Sequence, residues 1–229
     1  MLKKRTIRLG DYDTAVNGWT LTGWTLTDPE QKTNYVEKTG GDGSWNLSTV
    51  LSGGVPRYYD RTLTVTLENS QGTRADRERE ISRMVNRLDG LEWSIVLPDH
   101  PDHYLIGTVH VAVNYSDLAH AMVTVTATCQ PWLYRSRETV RVIDAPITSS
   151  TEAATFFIWN DGRKVVTPVL TVKGTAHLTF QGNRTDLTTG TYEWPALQLA
   201  PGENELVYTG SYGATGETLT LTYREAVLR

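Results

Sequence analysis

Cysteine is almost missing from this sequence: there is one, Cys129. That excludes an internal disulfide framework and any zinc site built from several cysteines. Long apolar runs are missing too, since no stretch reaches the roughly 18 residues of a membrane-spanning helix. The opening "MLKKRTIRLGDYD" is basic but lacks the apolar run of a signal peptide. The expectation is a chain made in a cytoplasm that stays soluble. Positive charge is not in excess either: the formal net charge is −4. That balance argues against a protein whose main task is gripping nucleic acid.

Motifs of enzymatic chemistry are equally scarce. There is no G-x-S-x-G elbow, no P-loop lysine motif and no dinucleotide fingerprint. Acidic residues are scattered through charged turns, with no motif suggesting the carboxylate pair of a glycoside hydrolase. "LPDHPDHY" sets His100 and His103 beside Asp99 and Asp102, but Pro98 and Pro101 make it a turn. No further His or Cys cluster completes a metal shell. His110 and His120 read as strand-associated surface or half-buried residues, and Cys129 as a small buried hydrophobe without an activating partner. The reading assigns no catalytic residue, no metal ligand and no cofactor.

What the sequence has is strand. "TLTVTLE" puts Leu63, Val65 and Leu67 on one face and Thr62, Thr64 and Thr66 on the other. "MVTVTAT" and "TLTLTY" repeat the alternation. Apolar-in, threonine-out strands favour antiparallel sheets. One helix interrupts them. Over Thr73–Leu88 the apolar residues Ile81, Met84, Val85 and Leu88 fall at helical spacing. Thr73 and Asp76 supply the start signal, Asp89-Gly90 the stop. Arginines and acids interleave on its other faces, which reads as a solvated helix packing one stripe on a sheet.

The stretch "KTNYVEKTGGDGSWNLSTVLSGG" lacks the lysine and the strand-to-helix setting of a phosphate cradle, and the spaced acids of a calcium loop. Its Gly40-Gly41-Asp42-Gly43 centre reads as a turn. After "CQPWLYRSRE" comes a linker-like passage, "IDAPITSSTEAA", and then short segments: "ATFFIWN", "VTPVLTV", "HLTF", "EWPALQL", "NELVYTG" and "TLTLTY". Strands punctuated this often predict a β-sandwich. The expected division is 1–134, a β-domain with one helix, and 135–229, a sandwich domain.

The order of segments resembles the distal tail proteins of long-tailed bacteriophages and prophages of Gram-positive bacteria. The resembling pieces are "DPEQKTNYVEKTGGDGSWNLS", "YYDRTLTVTLE", "VNRLDG", "WSIVLPDHPDHYLIGTVHV", "AHAMVTVTATCQPWLY", "PGENELVYTG" and "LTLTYREAVL". Trp45-Asn46 and His100/His103 depart from that family's usual residues. The resemblance implies a mainly β protein: an N-terminal β-domain with one helix that builds a ring, then a galectin-like β-sandwich. It implies a structural virion protein of the tail tip, not an enzyme. The chain would form a hexameric hub ring joining the tail tube and tape-measure proteins to the tail-tip, tail-associated lysin or receptor-binding machinery. DNA would pass through the channel without specific binding. Six copies would carry 6 × (−4) = −24 formal charge, which suits sliding rather than sticking. On this resemblance Asp42, Gly43, Tyr59 and Arg61 are the candidate ring contacts, with stabilisation of their own domain as the alternative. A second reading is a carbohydrate-binding or adhesin module of the tail, with Trp159, Tyr192 and Trp194 as candidate sugar contacts; core packing is the competing role for such aromatics.

Overall fold

The computed structural model describes residues 6–114, 121–143, 153–210 and 217–229. His120 and positions 144–152 of the linker passage lie outside the described residues. The chain divides into two compact units, Met1–Trp132 and Leu133–Arg229.

The first unit is an antiparallel sheet with a helix on it and a separate two-stranded hairpin. Its strands are β1 (Arg8–Leu9), β2 (Tyr12–Asp13), β3 (Thr20–Leu26), β4 (Tyr35–Glu37), β5 (Ser44–Asn46), β6 (Arg61–Asn69), β7 (Glu92–Val96), β8 (His103–Asn114) and β9 (Ala121–Cys129), and its helix is α1 (Arg74–Leu88). The sheet runs in the order β2-β1-β7-β8-β9-β6-β3, with β4 and β5 paired only to each other. Leu63, Val65 and Leu67 on β6 stand in register with Ala127, Val125 and Val123 on β9, and all six are buried. The threonines between them take the wetter face, as the alternation predicts. The helix packs on β8 and β9 through Ile81, Met84 and Leu88.

The start of α1 shows why it begins where it does. The Thr73 hydroxyl accepts from the Asp76 amide at 3.2 Å, and the Thr73 amide donates to the Asp76 carboxylate at 2.9 Å. These bonds satisfy backbone groups that the first helical turn leaves orphaned. At the other end the chain leaves helical geometry at Asp89, and Gly90 takes φ 75°.

The second unit is a sandwich. Its strands are β10 (Leu133–Arg135), β11 (Thr139–Ile143), β12 (Ala154–Asn160), β13 (Val169–Lys173), β14 (Ala176–Phe180), β15 (Asn183–Leu187), β16 (Gly190–Glu193), β17 (Gly202–Gly210), β18 (Thr218–Tyr223) and β19 (Ala226–Val227). One sheet is ordered β11-β18-β13-β16 and the other β12-β17-β14-β15. Leu170, Leu178, Phe180, Leu206, Leu219 and Leu221 belong to the buried core of this unit. Outside those two sheets, β10 pairs with β19 and sets Leu133 against Val227 and Tyr134 against Ala226.

Two buried asparagines organise its turns. Asn160 donates to the carbonyls of Lys164 and Leu199 and accepts from the Gly162 amide. Asn204 donates to Ala200 O at 2.8 Å and accepts from Ala200 N at 2.9 Å, which closes the "PGEN" turn. One expected strand is not formed. "EWPALQL" leaves β16 at Glu193 and turns, with Leu197 N donating to Trp194 O, before Leu199 bridges Val166. Pro195 has no amide for a ladder at that point.

Candidate functional site

The Gly/Asp stretch is the tip of a free-standing hairpin. β4 and β5 pair as Tyr35 with Asn46, Val36 with Trp45 and Glu37 with Ser44. Lys38 N to Gly43 O closes the tip, where Gly40 and Gly43 take φ values of 76° and 75°. Glycine reaches that left-handed backbone without a Cβ clash. The sequence reading of a turn between two strands is therefore what the fold contains.

Every residue from Glu30 to Leu47 is exposed. Val36 and Trp45 face each other across the pair, and Leu47 follows two residues on, its amide bonded to Asn34 O, so all three share one face of the arm. Lys38 Nζ sits 5.1 Å from the centre of the Trp45 ring. Beyond the arm, a 3-10 turn at Val50–Ser52 leaves Leu51 fully exposed at 101%. An isolated two-stranded hairpin is marginal in water. This one is held at its root instead, by the Gln31–Tyr58 bridge, Lys32 N to Arg57 O at 2.8 Å and Tyr59 N to Glu30 O at 2.9 Å.

The candidate ring contacts separate into two kinds. Asp42 and Gly43 stand exposed at the tip. Tyr59 stands at the root, 51% exposed, with Lys32 Nζ 5.1 Å from its ring centre. Arg61 is different: it is buried at the start of β6, and its Nε donates to Thr27 O at 2.7 Å. A second guanidinium nitrogen reaches Pro131 O at 3.5 Å. Arg61 thus ties the segment entering the arm to the segment leaving β9, inside its own unit.

The aromatics of the second unit do not converge. Tyr192 and Trp194 pack against the sandwich core, whereas Trp159 points outward from β12 in the opposite sheet. His100 lies in the β7–β8 turn and His103 opens β8. His110 is on the exposed face of β8, its Nδ1 3.6 Å from an Asp89 oxygen. Cys129 is buried, and burial pushes its thiol up to about 12. Val36, Leu47, Val50, Leu51 and Phe157 are exposed apolar residues that the sequence reading did not single out. For the first four the only signal was apolar side chains inside polar, glycine-rich text; Phe157 lies in the apolar strand segment "ATFFIWN".

No family model matches the sequence, and no curated protein matches it. Among solved structures, the chain is similar to the crystal structure of the SPP1 Dit (gp 19.1) protein, described as a paradigm of the hub adsorption apparatus in Gram-positive infecting phages. The TM-score is 0.68 at 16% sequence identity, over 97% of this chain and 99% of that one. This chain therefore shares the fold of that protein, mainly β here, along almost its whole length.

Proposed function

We infer that this protein is a structural hub component of a phage tail tip. The observation that carries the reading is the exposed arm. A hydrogen-bonded hairpin with Val36, Trp45 and Leu47 on one uncovered face is a surface awaiting a partner. The shared fold with a hub protein supplies the setting. In this reading the first unit builds a hexameric ring, each arm lying on the neighbouring copy, with Asp42, Gly43 and Tyr59 at the contact. Arg61 holds the arm's root from within. The ring joins the tail tube and tape-measure proteins to the tail-tip, lysin or receptor-binding machinery, and DNA passes through without specific contacts. The role is structural, in the virion, and uses no cofactor.

Size-exclusion chromatography with light scattering tests the ring. One chain is 25.6 kDa, so the expected species is 6 × 25.6 ≈ 154 kDa. A closed dimer or trimer across the whole concentration range overturns the hexamer. So does a species that stays at the mass of one chain even with tail-tube protein added.

A further inference from the structure

Glycine after aspartate or asparagine is the setting in which a backbone amide can attack the side chain before it. The chain has four such pairs: Asn17-Gly18, Asp42-Gly43, Asp89-Gly90 and Asp161-Gly162. Attack needs an amide nitrogen that is not donating elsewhere and room for the side chain to swing onto it. The fold withholds these conditions from three of the pairs. Gly90 N donates to Val109 O at 2.8 Å, and an Asp89 oxygen accepts from Val111 N at 2.8 Å. Gly162 N donates to the Asn160 side chain at 3.0 Å, in packing so close that a Cβ there would stand 2.7 Å from Ala226 O. Asn17 Nδ2 donates to Asp13 O at 2.7 Å, and Gly18 N donates to Ala15 O at 3.3 Å.

Asp42-Gly43 is the opposite case. Both residues are exposed at the tip of the arm. Neither the Asp42 carboxylate nor the Gly43 amide has a hydrogen-bond or ion-pair partner among the described residues. Apart from its chain neighbours, no atom lies within 4 Å of where a Gly43 Cβ would stand. The tip is closed through other atoms, Lys38 N to Gly43 O and Gly41 N to Lys38 O. We propose that Asp42-Gly43 is a spontaneous isomerisation site, at which aspartate converts to isoaspartate. The Gly43 nitrogen bonds to the side-chain carboxyl carbon of protonated Asp42. The C–OH bond breaks, and the hydroxyl leaves with the amide proton as water, giving a succinimide. Water then reopens the ring. Cleavage between nitrogen and the side-chain carbon restores aspartate, whereas cleavage between nitrogen and the original main-chain carbonyl gives isoaspartate. One water is lost and one regained, and no oxidant or cofactor takes part.

The product changes the arm where it is narrowest. In isoaspartate the main chain runs through the former side chain, which inserts one methylene between Lys38 and Gly43 and leaves the carboxylate directly on Cα. The Lys38 N to Gly43 O closure then has a longer span to bridge, and the charge at the tip moves. That displaced carboxylate is also the group to which isoaspartyl carboxyl methyltransferases transfer a methyl from S-adenosylmethionine. A neighbouring copy lying on the arm would shield the tip, so isoaspartate at this position would mark chains that have waited unassembled. This last step rests on the reading of the arm given above; the chemistry at Asp42 does not.

The test ages the full chain for weeks at neutral pH and physiological temperature, beside the Trp45→Asp and Asp42→Glu variants. Isoaspartate is read with an isoaspartyl methyltransferase and labelled S-adenosylmethionine, and located by peptide mapping. Light scattering gives the mass of the species in each sample. Methyl label should accumulate with age in the arm peptide, at Asp42, severalfold above the peptides of Asn17, Asp89 and Asp161. Asp42→Glu should abolish it there, because the longer side chain would have to close a larger, slower-forming ring. Label absent from the arm in both the unaltered and the Trp45→Asp chains overturns the proposal. Label spread evenly over the four pairs overturns it too, since the fold would then select nothing. Label at Asp42 in Trp45→Asp alone upholds the site and shows that assembly covers the tip. Equal label in both chains upholds the site and counts against a neighbour on the arm.

Discussion

At the scale of single residues, small side chains and buried polar groups set the geometry. Gly107 on β8 pairs with Cys129 on β9, and a Cβ at Gly107 would fall 2.7 Å from the Cys129 sulfur. The cysteine is there as a compact apolar filler. Because burial disfavours the thiolate, its pKa rises from 9.0 to about 12. The sign follows: the native state holds this proton more tightly, so the contribution to stability is full below 9 and declines as pH climbs toward 12. Iodoacetamide at pH 8 should therefore leave native Cys129 unlabelled and modify it fully in guanidinium; native labelling at the unfolded rate would contradict this burial. Arg61 and Tyr59 make a second contrast. Arg61→Ala removes a buried charged donor from the Thr27 and Pro131 carbonyls and should cost about 2 kcal/mol of unfolding free energy in denaturant titrations. Tyr59→Ala should leave stability nearly unchanged and weaken assembly, and the reverse pattern would exchange their roles.

At the scale of elements, legibility followed how local the cause was. The helix was readable because its signals sit next to each other: Thr73, Asp76, the stripe of Ile81, Met84 and Leu88, and Gly90. Thr73→Ala should lower stability by about 1 kcal/mol, measured as a shift in denaturation midpoint at constant slope. Ser at the same position should restore it, since its hydroxyl can accept the same amide. The side chain of Thr73 and its amide also hold Asp76 below the usual carboxylate range, so this support is present at neutral pH and lost as pH falls through that lowered value. The arm was half readable. Its glycines announced a turn, but strands of three exposed residues carry no buried face and hence no hydrophobic alternation. In the proposed reading, what makes Val36, Trp45 and Leu47 a site is a partner outside the chain, and that leaves no periodic mark. Trp45→Asp tests it. The monomer's unfolding midpoint should stay within about 0.5 kcal/mol, as for surface positions in general, while the oligomer dissociates at concentrations where the unaltered chain assembles. Assembly unaffected by Trp45→Asp would remove the arm from the interface.

At the scale of the molecule, the question is where one unit stops needing the other. The core of the second unit draws its buried residues from Ile143 to Tyr223, all of them within Leu133–Arg229. Its first strand, β10, pairs with its last, β19, and Arg135 closes that junction: its amide bonds Glu225 O and its guanidinium pairs with the buried Glu225 carboxylate. Arg224 returns the contact through the carbonyls of Arg135 and Ser136 and the carboxylate of Glu138. A cut after Tyr134 falls inside β10, which the sequence could not reveal because three residues show no alternation. A fragment beginning at Leu133 should therefore fold cooperatively by itself, and one beginning at Thr139 should melt lower. The shorter fragment loses the β10–β19 pairing together with the arginine that compensates the Glu225 carboxylate, and breaking such an ion pair on one side is among the costlier single losses a domain can suffer. Circular dichroism melts of the two fragments decide this. If both melt at the same temperature, the β10–β19 closure contributes nothing and the second unit begins only at β11. In solution the longer fragment should remain monomeric, because the arm belongs to the first unit. Assembly of this fragment alone would move the ring-forming surface to the sandwich.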